Sequence, residues 1–193
     1  MSDISFENRT VIVTGAGNGL GKAYAIELGN RGAKVVVNDL GGAVDGSGSG
    51  STPADEVVNE IISNGGEAVA NYDSVATKDG GESIVQSAID NFGTVDAVIN
   101  NAGILRDKSF AKLSEEELSL VIDVHLKGTF FVSQPAFKVM KEKNYGRIVN
   151  VASPSGLFGN FGQSNYGAAK MGIVGLTNVL AIEGAKYLSL IHI

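Results

Sequence analysis

Short apolar runs alternate with amphipathic stretches along the chain. The runs are rich in valine and isoleucine without polar alternation, which is typical of parallel strands buried on both faces. Between them, apolar residues recur at helical spacing, as at Val57, Val58 and Ile61, and glycine ends several of these repeats. The runs predict five strands, at residues 11–13, 34–37, 68–71, 95–99 and 148–151.

This alternation of strand and helix predicts a single α/β domain with a doubly wound parallel sheet of Rossmann type. We expect the strand order 3-2-1-4-5, with helices on both faces. A capping box at residues 114–117 opens a long helix that we predict to run to about Lys143, with a bend at Pro135. The Gly- and Ser-rich stretch 41–52 predicts a flexible surface loop.

Composition narrows the classes of function. The chain has 193 residues, a net charge of −6 and no cysteine, which excludes disulfides and thiolate chemistry. It carries no basic stripe that could follow a nucleic-acid backbone, and His125 and His192 lack the spacing of metal ligands. No apolar run approaches the ~20 residues of a membrane-spanning helix. We therefore expect no nucleic-acid partner, no metal site and no membrane insertion.

The turn T-G-A-G-N-G-L-G, at residues 14–21, joins the first strand to the first helix. A helix opening on such a turn points its free N–H groups and the positive end of its dipole at one spot, which suits a phosphate. The nucleotide-triphosphatase pattern fails at two positions and G-x-G-x-x-G fails as well, which leaves T-G-x-x-x-G-x-G. By position, Gly15 would make the tight turn, Gly19 would let the backbone approach a pyrophosphate, and Gly21 would let the helix pack closely. A purely structural turn is the alternative.

Further polar residues follow the later strands. Asp39 ends the second strand, where a carboxylate can accept both hydroxyls of an adenosine ribose and repel a 2′-phosphate, so it favours NAD over NADP. Asp73 and Ser74 follow the third strand, where Asp73 could meet the adenine amino group. The N-A-G sequence at residues 101–103 suits a backbone that passes close to a flat ligand. Capping and turn chemistry are the alternatives at these positions.

Candidate catalytic residues lie near the end of the chain. Tyr166 and Lys170 are spaced i, i+4, so a helix would place both on one face. A free phenol, with an ordinary pKa near ~10, is a poor base at neutral pH, but an adjacent cation favours the phenolate. Such a tyrosine could exchange a proton with a carbinol while a hydride moves to nicotinamide. Ser153, after the fifth strand, could hydrogen-bond the same substrate oxygen.

Together these residues resemble the short-chain dehydrogenase/reductase family. The matching motifs are T-G-x-x-x-G-x-G at 14–21, N-A-G at 101–103, Ser153, and Y-x-x-x-K at 166–170. Two longer stretches, N-Y-D-S-V at 71–75 and D-V-H-L-K-G at 123–128, are similar to the (3R)-hydroxyacyl-CoA dehydrogenase domains of type 2 peroxisomal multifunctional enzymes. The likeness extends over about residues 5–187.

The resemblance implies a role for each site residue. Tyr166 would be the catalytic base, Lys170 would favour its phenolate and hold the nicotinamide ribose, and Ser153 would position the substrate oxygen. The implied cofactor is NAD. The predicted cofactor-binding residues are Gly15, Asn18, Gly19, Leu20, Gly21, Asp39, Asp73, Ser74, Asn101, Ala102, Gly103, Tyr166 and Lys170.

The reaction implied by the resemblance is NAD-dependent oxidation of (3R)-3-hydroxyacyl-CoA to 3-ketoacyl-CoA in peroxisomal fatty-acid β-oxidation. Two alternatives stay open: another short-chain dehydrogenase chemistry, on a hydroxysteroid or a 3-ketoacyl substrate, and a non-catalytic NAD-binding fragment. The resemblance also implies a peroxisomal location, with the cytoplasm as the alternative. We expect a homodimer formed by the helices at residues 114–143 and 165–185, where small residues such as Gly172 and Gly175 would permit close approach.

The chain departs from the family in two places. The wider family often has Asn where His125 stands, as part of a water relay to the lysine, and both a relay and a packing role stay open for His125. After Tyr187 the family continues with a sixth strand, a substrate-covering segment and a seventh strand. We therefore expect an NAD-binding domain over residues 1–187, incomplete at its C-terminal end, and a non-family tail at 188–193. The apolar alternation of that tail is also compatible with a sixth strand.

Overall fold

The computed structural model describes residues 4–187 and 190–192, and its centre is a six-stranded parallel sheet. The strands run across the sheet in the order β3-β2-β1-β4-β5-β6, and each neighbouring pair is parallel. Their bounds are β1 Thr10–Thr14, β2 Lys34–Asn38, β3 Glu67–Asn71, β4 Ala97–Asn100, β5 Arg147–Asn150 and β6 Leu190–His192. The predicted doubly wound fold and its strand order are confirmed.

Residues 190–192, from the predicted tail, occupy the sixth position in the sheet. Their register with β5 pairs Arg147 with Leu190 and Val149 with His192. Residues 188, 189 and 193, which belong to the same predicted tail, lie outside the described residues.

Seven α-helices cover the two faces of the sheet in the described part of the chain. Their bounds are α1 Gly19–Asn30, α2 Thr52–Ser63, α3 Lys78–Phe92, α4 Glu115–Ile122, α5 Gly128–Glu142, α6 Pro154–Phe158 and α7 Ser164–Gly184. A short 3-10 helix lies at Phe110–Lys112, and a π-helical turn, Asp123–Lys127, joins α4 to α5. Within residues 4–187, none of the helices is long and apolar enough to cross a membrane.

Two apolar cores lie on opposite faces of the sheet. Val11 and Val13 of β1 join one core together with α1 and α2, whereas Ile12 joins the other with α3 and α5. Successive residues of a strand point to opposite faces, so both must be apolar where both faces are covered. This explains why the strands form continuous apolar runs in the sequence.

The long helix predicted from Ser114 is divided by a π-helical turn. Its capping box is present, with Ser114 and Glu117 bonded reciprocally, and the helical segment ends at Glu142. Pro135 lies inside α5, and the π-helical turn comes earlier in the chain, between α4 and α5. Such turns arise where the i to i−4 hydrogen-bond ladder is interrupted, and they often occur at functional sites.

Residues 41–50 lie at the surface, as predicted, and are joined by backbone hydrogen bonds within the segment. The Ala43 amide donates to the Ser47 carbonyl at 2.8 Å, and the Gly50 amide donates to the Leu40 carbonyl at 2.9 Å. α2 begins directly after the segment, with a proline in its first turn. The compositional signal was correct for turn-forming residues but could not show that they pack on the rest of the chain.

Candidate active site

Buried polar side chains end β1 to β5 and fix the carboxyl edge of the sheet. The Asn38 amide group donates to the Asn71 side-chain oxygen at 2.8 Å, and the Asn100 amide group donates to that of Asn150 at 2.8 Å. Thr14 completes this row of buried residues at the strand ends. We did not assign these five residues from the sequence. An asparagine or threonine closing successive apolar runs was the signal that could have found them.

The glycine turn between β1 and α1 is shaped by close approaches. Gly15 has a φ of +62°, and a Cβ there would lie 2.7 Å from the Ala102 Cα atom. A Cβ on Gly21 would collide with the Gly15 carbonyl oxygen. Gly19 has a φ of +55°, and nothing lies within 4 Å of where its Cβ would be. The turn is therefore packed on one side and open on the other, at the start of α1, which fits a phosphate-bearing ligand.

Asp39 fixes two parts of this edge at once. Its Oδ2 accepts a hydrogen bond from the Gly17 amide and its Oδ1 accepts one from the Gly41 amide, each at 2.7 Å. A Cβ on Gly17 would lie 2.8 Å from the Asp39 Cγ atom, so only glycine fits there without a shift. Gly17 was not assigned from the sequence, although it stands inside the predicted turn.

A cleft of about 500 Å³ runs along the carboxyl edge. Its volume lies within the range of small-molecule and cofactor sites. The predicted residues that line it are Gly15, Asn18, Gly19, Asp39, Asp73, Ser74, Asn101, Ala102 and Gly103. Lining residues that the sequence analysis did not assign include Leu40, Ala43, Val44, Gly46, Leu120 and Val124. Four predicted cofactor-binding residues are not among those that line it: Leu20 is exposed on α1, Gly21 is buried against the turn, and Tyr166 and Lys170 lie on α7.

Asp73 is held in place at the wall of the cleft by its neighbours. Its Oδ2 accepts hydrogen bonds from the Asn71 side-chain amide at 2.9 Å and from the Ser83 hydroxyl at 2.7 Å. Its backbone amide donates to the Asn71 side-chain oxygen at 3.0 Å. The carboxylate is thus ordered beside the position predicted for an adenine ring.

The segment after β4 is tied to the glycine turn by its asparagine. The Asn101 side-chain amide donates to the carbonyls of Thr14 and Gly15, at 3.1 and 3.0 Å. The Thr14 hydroxyl accepts from the amides of Asn101 and Ala102, both at 3.1 Å. These bonds join the end of β1 to the segment after β4 and set one wall of the cleft.

Lys170 is buried beside Tyr166 on α7. Its side chain belongs to a residue only 3% exposed, and its Nζ donates to the Val151 carbonyl at 2.6 Å. The same Nζ lies 5.6 Å from the centroid of the Tyr166 ring. Burial lowers the pKa of Lys170 to about 8. Below that pH the ammonium keeps its charge, so a cation lies against the phenol at neutral pH.

Ser153 is the N-cap residue of α6. Its Oγ accepts a hydrogen bond from the Ser155 amide at 3.2 Å, which leaves its hydroxyl proton available to a ligand. Gly156 lets α6 pack against the backbone of α7, since a Cβ there would lie 2.9 Å from the Met171 amide nitrogen. The sequence therefore brings the helix that starts at Ser153 against the helix that carries Tyr166 and Lys170.

His125 lies in the π-helical turn and packs against Tyr166. The two rings are perpendicular, with centroids 5.1 Å apart. The His125 Nε2 lies 2.8 Å from the Ile104 carbonyl oxygen and 3.0 Å from the Ile104 amide nitrogen, and its role there depends on the tautomer. Burial and the nearby Lys170 charge lower the pKa of His125 to about 4, so its ring is neutral at physiological pH. His125 therefore joins the Tyr166 ring to the segment after β4.

The glycine turn and the tyrosine–lysine pair share one edge of the sheet. Lys170 is bonded to the carbonyl just after β5, and Tyr166 reaches the segment after β4 through His125. That segment is in turn bonded to Gly15. The edge therefore offers an elongated cleft beside a hydroxyl, a phenol and an ammonium, which suits a nucleotide cofactor and proton transfer to or from a substrate oxygen.

Known proteins similar to this chain carry the same fold. A short chain dehydrogenase from Mycobacterium avium superposes with a TM-score of 0.87 at 46% identity, over 94% of this chain and 65% of its own. The full-length peroxisomal multifunctional enzyme type 2 of Drosophila melanogaster gives a TM-score of 0.81 at 47% identity, over 97% of this chain and 30% of its own.

Sequence relatives include proteins much longer than this chain. The chain is 60% identical, over 96% of its length, to the peroxisomal hydratase-dehydrogenase-epimerase of Saccharomyces cerevisiae, of which it spans 20%. It is 56% identical to the peroxisomal multifunctional enzyme type 2 of Mus musculus, spanning 25% of that protein. It is also 59% identical to a short-chain type dehydrogenase/reductase of Mycobacterium tuberculosis, spanning 63% of it.

The family itself is decided by a match over most of the chain. The profile of the short chain dehydrogenases matches residues 9–192, a range that runs from the start of β1 to the end of β6. With the glycine turn, the Tyr–Lys pair and the doubly wound sheet already in place, the chain belongs to the short-chain dehydrogenase family of nicotinamide-dependent oxidoreductases.

Proposed function

We propose that this protein oxidises (3R)-3-hydroxyacyl-CoA to 3-ketoacyl-CoA with NAD, as a dehydrogenase of fatty-acid β-oxidation. The observation that carries the proposal is the 56–60% identity, over 96% of the chain, to peroxisomal enzymes whose names include a dehydrogenase and a multifunctional enzyme type 2. Their names also support a peroxisomal location. The chain spans a quarter or less of those proteins, so the proposal concerns only the segment that it matches.

NAD rather than NADP is proposed because of Asp39. Its carboxylate lines the cleft at the end of β2 and is held by the amides of Gly17 and Gly41. A fixed negative charge at this position can accept the ribose hydroxyls and repels a 2′-phosphate. The dinucleotide would lie along the cleft with its pyrophosphate at Gly19, where the turn is open, and would supply the hydride acceptor.

Three side chains are proposed to handle the substrate hydroxyl. The Tyr166 oxygen would take the hydroxyl proton as the carbon loses its hydride, and the Lys170 ammonium would stabilise the phenolate. The Ser153 hydroxyl, which already accepts from the Ser155 amide, would donate its proton to the substrate oxygen and hold it toward Tyr166. The site would thus separate a proton, taken by Tyr166, from a hydride, taken by the nicotinamide.

An apolar rim beside these residues supports a fatty acyl substrate. Phe158 and Phe161, on the segment between Ser153 and Tyr166, are 86% and 89% exposed, and Phe110 is 82% exposed. Backbone bonding between the Lys108 amide and the Gly162 carbonyl, at 2.8 Å, holds the two stretches together. Exposed aromatic side chains here would give a fatty acyl chain apolar surface to pack against.

The test is turnover of the two enantiomers of a 3-hydroxyacyl-CoA with NAD or NADP, followed by absorbance of the reduced nucleotide. We expect oxidation of the R enantiomer with NAD and much slower reaction with NADP. Tyr166→Phe should lower turnover by a factor of at least ~10² while nucleotide affinity is kept, because it removes only the proton acceptor. Near-normal turnover by that variant, or no turnover of either enantiomer by the unmodified protein, would contradict the proposal.

A second candidate function is oxidation of a hydroxysteroid, and it is considered because of the mycobacterial relative. That protein is 59% identical to this chain, which spans 63% of it, and its name gives a short-chain type dehydrogenase/reductase without naming a substrate. The assay above separates the two candidates if a hydroxysteroid is added to it. Oxidation of the steroid at a higher kcat/KM than the acyl-CoA would favour the second.

A further inference from the structure

The segment at residues 40–50 is the least expected feature beside the cleft. Hydrogen bonds at its base, from the Gly50 amide to the Leu40 carbonyl, and near its tip, from the Ala43 amide to the Ser47 carbonyl, close it into a compact loop. Gly41 has a φ of +74° and lies against Gly50, where a Cβ would collide with the Gly50 backbone. The segment is therefore compact in this structure despite its Gly- and Ser-rich composition.

The tip of the segment reaches across the sheet edge to the far wall of the cleft. The Leu105 amide donates to the Val44 carbonyl at 3.0 Å. A Cβ on Gly46 would lie 3.1 Å from the Ile104 Cδ1 atom and 3.5 Å from a methyl carbon of Leu120. Ile104 and Leu105 follow β4, whereas the segment starts from β2, and β1 lies between those strands. The segment thus crosses over β1, from the end of β2 to the residues that follow β4.

The base of the segment is fixed by the residue proposed to hold the ribose. Asp39 Oδ1 accepts from the Gly41 amide, and Oδ2 accepts from the Gly17 amide in the glycine turn. Near the tip, hydrogen bonds from the Ser47 hydroxyl and amide, together with the charge of Arg106, lower the pKa of Asp45.

We infer that residues 40–50, docked through Val44 and Gly46 on Ile104, Leu105 and Leu120, form the outer wall of the nucleotide site and slow the release of the adenosine half. The inference rests on the proposed nucleotide-binding function. Leu40, Gly42, Ala43, Val44 and Gly46 line the same cleft as Asp73 and Ser74, so a ligand there would lie against both groups. One interstrand-type hydrogen bond and a few apolar contacts hold the tip, which is weak enough to open for exchange.

Two glycines of the segment offer a matched pair of variants. Gly46 and Gly48 both have left-handed φ values, +83° and +73°, so alanine strains the backbone similarly at each. Only at Gly46 does the added methyl group meet the docking surface, since nothing lies within 4 Å of a Cβ on Gly48. We expect Gly46→Ala to raise the NADH dissociation rate about tenfold, and Gly48→Ala to change it less than about twofold, in stopped-flow fluorescence.

Hydrogen exchange gives a second readout that needs no turnover and no bound nucleotide. The Leu105 amide should be protected in the unmodified protein and in Gly48→Ala, and should exchange faster in Gly46→Ala, because its acceptor is the Val44 carbonyl. Added NADH should increase protection of residues 41–50 in the unmodified protein.

The outcomes separate this inference from the proposed function. If both variants bind NADH and have equal dissociation rates and equal Leu105 exchange, residues 40–50 do not form the wall. The dehydrogenase proposal is unaffected by that result. Absence of NADH binding by the unmodified protein would overturn both. If NADH release and Leu105 exchange are faster in Gly46→Ala but not in Gly48→Ala, residues 40–50 form the outer wall of the nucleotide site.

Discussion

At the scale of single residues, Lys170 shows how the site opposes the stability of the fold. Its ammonium is buried beside Tyr166 and has the Val151 carbonyl as its hydrogen-bond acceptor. Burial disfavours the charged form and lowers the pKa to about 8. A cation at this position is useful to a phenol base, so the protein keeps a charge where an apolar side chain would be more stable.

The pH dependence of stability follows from that shift. The unfolded chain, with a lysine pKa of 10.5, binds more protons than the folded chain between pH 8 and 10.5, so stability contributed by Lys170 rises with pH in this window. Relative to Lys170→Met, the free energy of unfolding of the unmodified protein should rise by about 3 kcal/mol from pH 7.5 to pH 10.5. Urea unfolding across this range measures it.

The exposed Lys138 supplies the control for this prediction. Lys138→Met on the outer face of α5 should follow the unmodified protein at every pH, since it removes a solvated charge. If the free energies of unfolding of Lys170→Met and of the unmodified protein change equally with pH, folding does not desolvate the charge of Lys170.

At the scale of elements, the helical segment from Ser114 to Glu142 contains two unusual features, a π-helical turn and an internal proline. The π-helical turn at Asp123–Lys127 carries His125 to the edge of the Tyr166 ring. Further on, Pro135 has no amide hydrogen to donate to the Phe131 carbonyl. α3 approaches closely at that point, because a Cβ on Gly81 would lie 2.5 Å from the Phe131 carbonyl oxygen.

Gly81 is accordingly a test of how closely α3 and α5 pack. Alanine has the higher helix propensity by about 1 kcal/mol, yet Gly81→Ala should destabilise the protein by about 1–3 kcal/mol because its methyl group meets fixed backbone rather than a movable side chain. Denaturant unfolding gives the value. Gln86→Ala, on the exposed side of the same helix, should change stability by no more than about 0.5 kcal/mol. A stabilised Gly81→Ala protein would show that the helices can separate at no cost.

At the scale of the whole molecule, one face is apolar without a covering element in the described part of the chain. α4, α5 and α7 present large apolar side chains there, and Ile182 is 78% exposed. Gly175 of α7 has open space around it. The other large exposed apolar residues on these helices are Leu118, Phe130, Met171 and Val179. We propose that a second copy of the chain covers this face, as expected from the sequence.

Ile182 and Ile62 form a matched pair for this proposal. Ile182→Glu should raise the dimer dissociation constant at least ~30-fold, because it places a charge in an apolar interface. Ile62→Glu, on α2 at the other face of the sheet and 53% exposed, should leave the dimer intact. Sedimentation velocity at several concentrations distinguishes these outcomes. If the unmodified protein is monomeric at high micromolar concentration, the dimer proposal is refuted.

The sequence by itself determined the features that depend on neighbours along the chain. The apolar runs, the glycine turn at residues 14–21, the capping box and the i, i+4 spacing of Tyr166 and Lys170 are local, because strand and helix periodicity and turn geometry act over a few residues. Strand order followed as well, since right-handed crossovers and short connections leave few arrangements for such a pattern.

Only the tertiary structure decided the features made by residues far apart in the chain. The asparagine pairs between strand ends, the contact of His125 with Tyr166, and the docking of residues 40–50 on Leu105 join parts that no periodicity relates. A Gly-rich stretch in isolation is free to move, and it is the partner surface that selects one conformation. The chemistry of the site was therefore legible in the sequence, whereas the shape of the cleft that holds its ligand was not.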